Sequence, residues 1–174
     1  MKTKGILSFF VLFTLAVILA MPGQGEAFDD KFVGTYFAAG ETGVIGEDSV
    51  DCSLIVTINK DGNCSVIYSI QGTTLFGDAF TDEQGVCRPT GPGELTCRML
   101  AFDYLPPCKA RPDGEVLANT VDNFVIQFDS GFQEISITAS GTGYPPDVNP
   151  LDPGGATPVF EFAGSFGGER VTVP

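Results

Sequence analysis

The chain has no histidine and no tryptophan. Without histidine there can be no Ser-His-Asp or Cys-His nucleophilic site, no imidazole metal ligand and no histidine-based pH switch. An enzyme built from this sequence would have to work with carboxylates, Tyr, Lys, Arg or Cys. Positive charge is also scarce, with 9 Lys and Arg against 22 Asp and Glu and a net charge of −13. So acidic a chain is repelled by phosphate backbones and anionic lipid, which excludes nucleic acid as a partner. No CxxC spacing and no glycine-rich phosphate loop occurs between a strand and a helix. Asn59, Asp61 and Asn63 imitate the start of a calcium loop, but Cys64 stands where its glycine belongs and Ile70 where its bidentate Glu belongs. Neither a metal nor a cofactor is expected.

Only one long apolar run is present. Lys2 and Lys4 precede Ile6 to Met21, and the small-residue stretch ending Gly25-Glu26-Ala27 offers a cleavage site. The run is shorter than the roughly 20 residues of a bilayer span, so residues 1–27 read as a signal peptide. The expectation is an exported protein, secreted or periplasmic, with no stable membrane insertion after cleavage. Residues 28–174 are then enough for one domain with a real core.

No segment sustains a capped 3.6-residue apolar period; short alternating runs between turn residues dominate instead. The expected fold is all-β, a single antiparallel up-and-down β-barrel, with a β-sandwich as the alternative. Cys52 to Ile70 gives the clearest hairpin. Its alternation sets Ile58 opposite Cys64, Val56 opposite Val66 and Leu54 opposite Tyr68, around a three-residue loop Lys60-Asp61-Gly62 with Gly62 left-handed. A second hairpin sets Phe128 opposite Ile135 and Ile126 opposite Ile137, with Gly131-Phe132 as a two-residue turn. That register also places Asp129 against Glu134, a like-charge pair that calls for a wider loop or a cation. Between these lies a Gly91-Pro92-Gly93 turn, followed by a strand from Leu95 to Tyr104. Gly40 to Asp51 reads as an acidic loop and residues 105–119 as irregular. Gly141 to Pro158 reads as a long Pro/Gly-rich loop near the C-terminus, and a last short strand is expected around Val171 to Val173.

Five cysteines in an exported chain suggest disulfides. Cys87 and Cys97 lie equally far from Pro92, so they are placed to face each other across a hairpin. Cys52, Cys64 and Cys108 are left without an assigned partner. Asn63-Cys64-Ser65 matches a glycosylation acceptor pattern, which matters only in a eukaryotic source.

The order of these features resembles small bacterial secreted calycin-like barrels, related in architecture to lipocalins and to the allene oxide cyclase barrel. The residues that carry the likeness are Gly34-Thr35-Tyr36, the Asp61-Gly62 hairpin, the Cys-bearing hairpin and FVIQFDSGFQEISIT at 124–138. Lipocalins and avidins carry a Trp after the opening Gly, and this chain does not, so no ligand specificity carries over. The resemblance implies a secreted barrel.

In a closed barrel the inner face would comprise Leu54, Val56, Ile58, Val66, Tyr68, Phe124, Ile126, Phe128, Ile135 and Ile137. It forms either a packed core or a cavity for one small ligand. The expected partner is a small apolar ligand, with Tyr68, Val56, Val66, Ile126 and Phe128 as binding residues and Tyr68 as the polar tip that orients it. An extracellular surface or matrix protein without catalysis is the alternative. A carboxylate-based enzyme at the barrel mouth, using Asp103, Asp129 or Glu134, comes third. The oligomeric state is left open.

Overall fold

The structure, a computed structural model, describes residues 28–70, 79–105 and 115–172. The expected signal peptide, the segment holding Leu75 and Phe76, and Cys108 lie outside the described residues. Nine strands form one antiparallel sheet: β1 (Gly34–Val44), β2 (Val50–Ile58), β3 (Asn63–Tyr68), β4 (Ala79–Phe80), β5 (Glu83–Gly91), β6 (Glu94–Leu105), β7 (Glu115–Phe128), β8 (Glu134–Tyr144) and β9 (Phe160–Arg170). β4 and β5 pair with successive parts of β6 and share one place in the sheet. Each strand otherwise pairs with the next in sequence, β6 with β7 included, and β9 returns to β1. The result is a closed eight-stranded up-and-down barrel. Among the described residues no helix is long and apolar enough to cross a membrane.

Alternation decides the register wherever one face is buried, because a one-residue slip would turn every inward side chain outward. The first hairpin accordingly pairs Ile58 with Cys64, Val56 with Val66 and Leu54 with Tyr68. The Gly62 N–H donates to the Asn59 carbonyl at 3.0 Å and the Asn59 N–H to the Asn63 carbonyl at 2.8 Å, closing the three-residue loop. Gly62 has φ +79°, a conformation strained for residues bearing a Cβ. The second hairpin keeps its expected strand register, Phe128 with Ile135 and Ile126 with Ile137, but its turn differs. Phe132, not Gly131, takes the positive φ of 55°. Its N–H donates to the Asp129 carbonyl at 3.1 Å, while the Asp129 carboxylate accepts from the N–H groups of Gly131, Gln133 and Glu134 at 2.9, 2.6 and 2.8 Å. The loop is therefore the wider one, and these bonds hold Asp129 below the usual carboxylate range despite full exposure.

Several segments expected to be loops are strand. β1 runs through Gly40 to Val44 because β2 pairs along one side of it and β9 along the other. β7 begins at Glu115, β8 continues through Gly141 to Tyr144, and β9 is one strand to Arg170, with Val171 beyond its end. The glycine-rich stretch of β9 looks like turn sequence, yet a Cβ on Gly168 would overlap the Phe37 carbonyl and Ala38 of β1. There glycine permits close strand approach and does not mark a bend. The long loop thus spans 145–159, and Asn119 Nδ2 pins it by donating to the Pro146 and Val148 carbonyls at 2.9 and 3.0 Å.

The two ends of the barrel differ. At one end the short 3-10 helix Asp30–Phe32 lays Phe32 across the opening. The Phe32 ring meets Phe128 and Phe132 edge-on at 5.1 and 5.2 Å and tilts against Phe28 at 5.8 Å. The Tyr36 hydroxyl donates to the Phe32 carbonyl at 3.1 Å. Edge-on aromatic pairs contribute roughly 0.5–1.5 kcal/mol each beyond their buried area, so this plug is a firm closure. The middle of the barrel is packed with Leu54, Val56, Ile58, Val66, Leu95, Phe124, Ile126, Ile135 and Ile137, all buried. The expected Cys87–Cys97 disulfide joins β5 to β6 across directly paired positions. Cys64 lies beside it, with all three sulfurs within 4.8 Å of one another and Cys64 Sγ 3.1 Å from Met99 Sδ.

Candidate functional site: an acidic cavity at the open end

Away from the plug, the barrel encloses a cavity of about 540 Å³, within the range of small-molecule sites. Val44, Ile45, Ile70, Phe80, Ala101, Val159, Phe160 and Phe162 form apolar wall. Among them project Tyr68 from β3, Glu83 from β5, Asp103 from β6, and Thr120 and Asp122 from β7, while exposed Glu47 and Glu161 lie at its margin. Among the described residues, five carboxyl groups line the cavity and no Lys or Arg does.

These acids point inward for the same reason the core does. Thr120 and Asp122 share parity with Phe124 and Ile126 along β7, and Asp103 shares it with Leu95, Cys97, Met99 and Ala101 along β6. Glu83 is in phase with Cys87. Room for Asp122 comes from β8, where a Cβ on Gly141 would overlap both Asp122 Oδ1 and the Phe162 ring.

Burial sets the chemistry. Glu83 and Asp122 are 2% and 1% exposed, and Tyr68 and Thr120 are buried as well. Removal from water disfavours the charged form and pushes Glu83 well above the ordinary carboxylate range, with the neighbouring Asp122 and Asp103 charges adding to it. Asp122 is raised to about 7, again chiefly by burial, with the nearness of Glu83 and Thr120 opposing and the Asp103 charge raising it further. Tyr68 is raised well above its usual value by burial and then by Glu83. Glu83, Asp122 and Tyr68 thus sit close enough to alter one another's proton affinity. Even so, among the described residues no hydrogen bond of ordinary geometry reaches the Tyr68 hydroxyl, Glu83 Oε2, Thr120 Oγ1 or Asp122 Oδ1. Leaving a buried polar atom unsatisfied costs roughly 1–3 kcal/mol, so four in one cavity form a standing demand for a partner.

Of the binding residues expected from sequence, Tyr68 lines this cavity. Val56, Val66 and Ile126 belong to the packed middle, and Phe128 belongs to the plug at the opposite end. Among the expected acids, Asp103 lines the cavity, whereas Asp129 and Glu134 flank the β7–β8 turn beside the plug. Glu83, Thr120 and Asp122 were not singled out by the sequence pattern. Their signal was the continuation of inner-face parity into polar positions. Comparison with protein-family models, with curated proteins and with solved structures returned no match for this chain, so the assignment rests on its own geometry.

Proposed function

We propose that this chain is an exported barrel that takes one small, largely apolar molecule into its open end. The observation that carries the reading is the contrast between the two ends. One is filled by Phe28, Phe32, Phe128 and Phe132, while the other keeps about 540 Å³ walled mainly by apolar side chains. Tyr68 supplies an inward hydroxyl to orient a ligand, beside the inward acids Glu83 and Asp122. The resemblance to secreted calycin-like barrels and the leader-like residues 1–27 support the same reading, as does a disulfide, which persists in oxidising compartments.

Native mass spectrometry of the protein recovered from the exported fraction, together with titration by an apolar environment-sensitive fluorophore, tests it. Wild type should carry or take up one ligand. Ala101→Trp should block uptake by filling the cavity, and the new side chain would be the only Trp in the protein, reporting its own burial. A wild-type protein that takes up neither ligand nor probe would overturn the reading.

One observation favours a second reading, acid–base chemistry at the same mouth. Glu83 and Asp122 are neighbouring carboxyls with raised proton affinities, and such a pair can hold one group as an acid while the other accepts a proton. It predicts turnover of a bound molecule that Glu83→Gln and Asp122→Asn each abolish; binding without turnover would leave only the first reading.

A further inference from the structure

We propose that the molecule taken into the open end carries an organic ammonium group, held by Glu83 and Asp122 with the Tyr68 hydroxyl beside them, while its apolar body lies along the upper wall. This rests on the reading of the cavity as a binding site and adds the chemical class of the ligand.

Four observations lead there. The cavity gathers Glu83, Asp103 and Asp122 with Glu47 and Glu161 at its margin, and among the described residues no Lys or Arg lines it. The ion pairs Lys31–Asp29 and Lys60–Asp30 involve neither Glu83 nor Asp122. The Tyr68 hydroxyl, Glu83 Oε2, Thr120 Oγ1 and Asp122 Oδ1 are buried and without hydrogen-bond partners among the described residues. An ammonium donates up to three hydrogen bonds and is the counter-ion that lets the acids ionise, so one group answers both needs. A neutral or anionic head answers at most one. The aromatic residues Phe80, Phe160 and Phe162 line the same cavity, and aromatic rings attract a cation.

A bare metal ion fits less well. Among the described residues no three carboxylates bring oxygens within 4.8 Å of one another, as a small hard cation requires; only Cys64, Cys87 and Cys97 cluster so tightly. The volume and apolar wall also exceed what an ion needs and suit a hydrocarbon body.

Proton balance follows. Around Asp122 stand Glu83 from β5, Asp103 from β6 and Thr120 from its own strand, with Tyr68 from β3 beside Glu83. In the empty cavity burial raises the proton affinity of both acids, Asp122 to about 7 and Glu83 well above the ordinary carboxylate range, so at pH 8 Glu83 is the group with a proton to give up. An incoming ammonium favours carboxylates, so its binding expels protons to solvent while the ammonium keeps its own.

Isothermal titration of the wild-type protein with octylamine, octanol and octanoate at pH 8 tests this, because the three share one body and differ in the head. Octylamine is expected to bind roughly tenfold to hundredfold more tightly than octanol, as a charge-assisted hydrogen bond would give, with octanoate weakest. Repeating the titration in buffers of different ionisation enthalpy should show proton release with octylamine and none with octanol. Asp122→Asn and Glu83→Gln should each shrink the preference for octylamine over octanol to about threefold or less while octanol still binds. These are neutral isosteres, which are less costly to bury than the ionised acids, and retained octanol binding reports that the cavity is intact. Octanol equal to octylamine, or octanoate tightest, overturns the ammonium assignment and leaves the cavity reading standing. If none of the three binds, both fall.

Discussion

Replacing Asp122 by Asn should make the protein more stable, and by more as the pH rises. In the folded chain Asp122 titrates at about 7, against an ordinary value of 3.8. Each unit of raised proton affinity corresponds to about 1.4 kcal/mol, so burying this carboxyl costs up to about 4 kcal/mol once it is ionised in the unfolded chain. The sign follows from proton counts. Below about pH 4 both states hold the proton, and the wild type meets no penalty. Between about pH 4 and 7 the unfolded chain gives up the proton and the folded chain keeps it, so wild-type stability falls with pH; above 7 both are ionised and the loss levels off. The amide of the Asp122→Asn variant holds no titrating proton, and that protein should lack the share of the slope that Asp122 contributes, while Glu83 keeps its own. Urea unfolding of both proteins at pH 4, 5.5, 7 and 8.5 reads the difference directly, and the shared background from the other acids cancels. Curves that run parallel across this range would refute the burial of an ionisable group at this position. Because Glu83 interacts with Asp122, Glu83→Gln combined with Asp122→Asn should give less than the sum of the two effects.

Gly141→Ala should destabilise the protein by about 1–3 kcal/mol, the usual range for overpacking, since the new methyl would overlap Asp122 and the Phe162 ring; an unchanged midpoint of thermal unfolding refutes this. Phe32→Ala should lower unfolding free energy by about 3–5 kcal/mol, the range for a buried aromatic, through loss of the plug while the distant cavity still takes up probe. Urea unfolding beside the fluorophore titration checks both parts, and loss of probe binding without loss of stability would contradict it. Cys64, buried and with its thiol pushed up to about 12 by burial and then by Glu83, should resist iodoacetamide at pH 8 in the folded protein and react once unfolded. Peptide mass mapping reads this, and native-state alkylation at Cys64 would show that the barrel opens there.

The fold was legible where strands carry strict alternation on both sides of a tight turn. Leu54, Val56 and Ile58 against Cys64, Val66 and Tyr68 leave one register that buries every large side chain, and that register is found. The Gly131-Phe132 turn was misread because glycine is the cheapest residue at positive φ. There, three backbone bonds to the Asp129 carboxylate and the Phe32 contact fix a turn that places Phe132 in that conformation. Gly141 and Gly143 read as loop because sequence alone does not distinguish a glycine that bends the chain from one that lets a ring or strand approach. The candidate site was hidden for a related reason. Glu83 sits in the polar run Thr81-Asp82-Glu83-Gln84, and Asp122 between Val121 and Asn123, where a search for apolar alternation stops. Asp129 and Glu134 attracted notice because they oppose each other, yet the Asp129 carboxylate is satisfied within the turn by backbone N–H groups, that of Glu134 among them.

The order of the strands has a consequence for how the chain assembles. Neighbouring strands in the ring follow one another along the chain except at the seam, where Tyr36 meets Arg170 and Val44 meets Phe162. Hairpins such as β2–β3 and β7–β8 can form locally and early, whereas the seam brings together segments from opposite ends of the barrel sequence and carries the largest loop-closure entropy. Until β9 docks, β1 and β8 each present an unpaired edge to other chains. The window for misassembly is therefore set by the arrival of the last strand, and crowding of partly folded chains during that interval is when this protein is most exposed to aggregation.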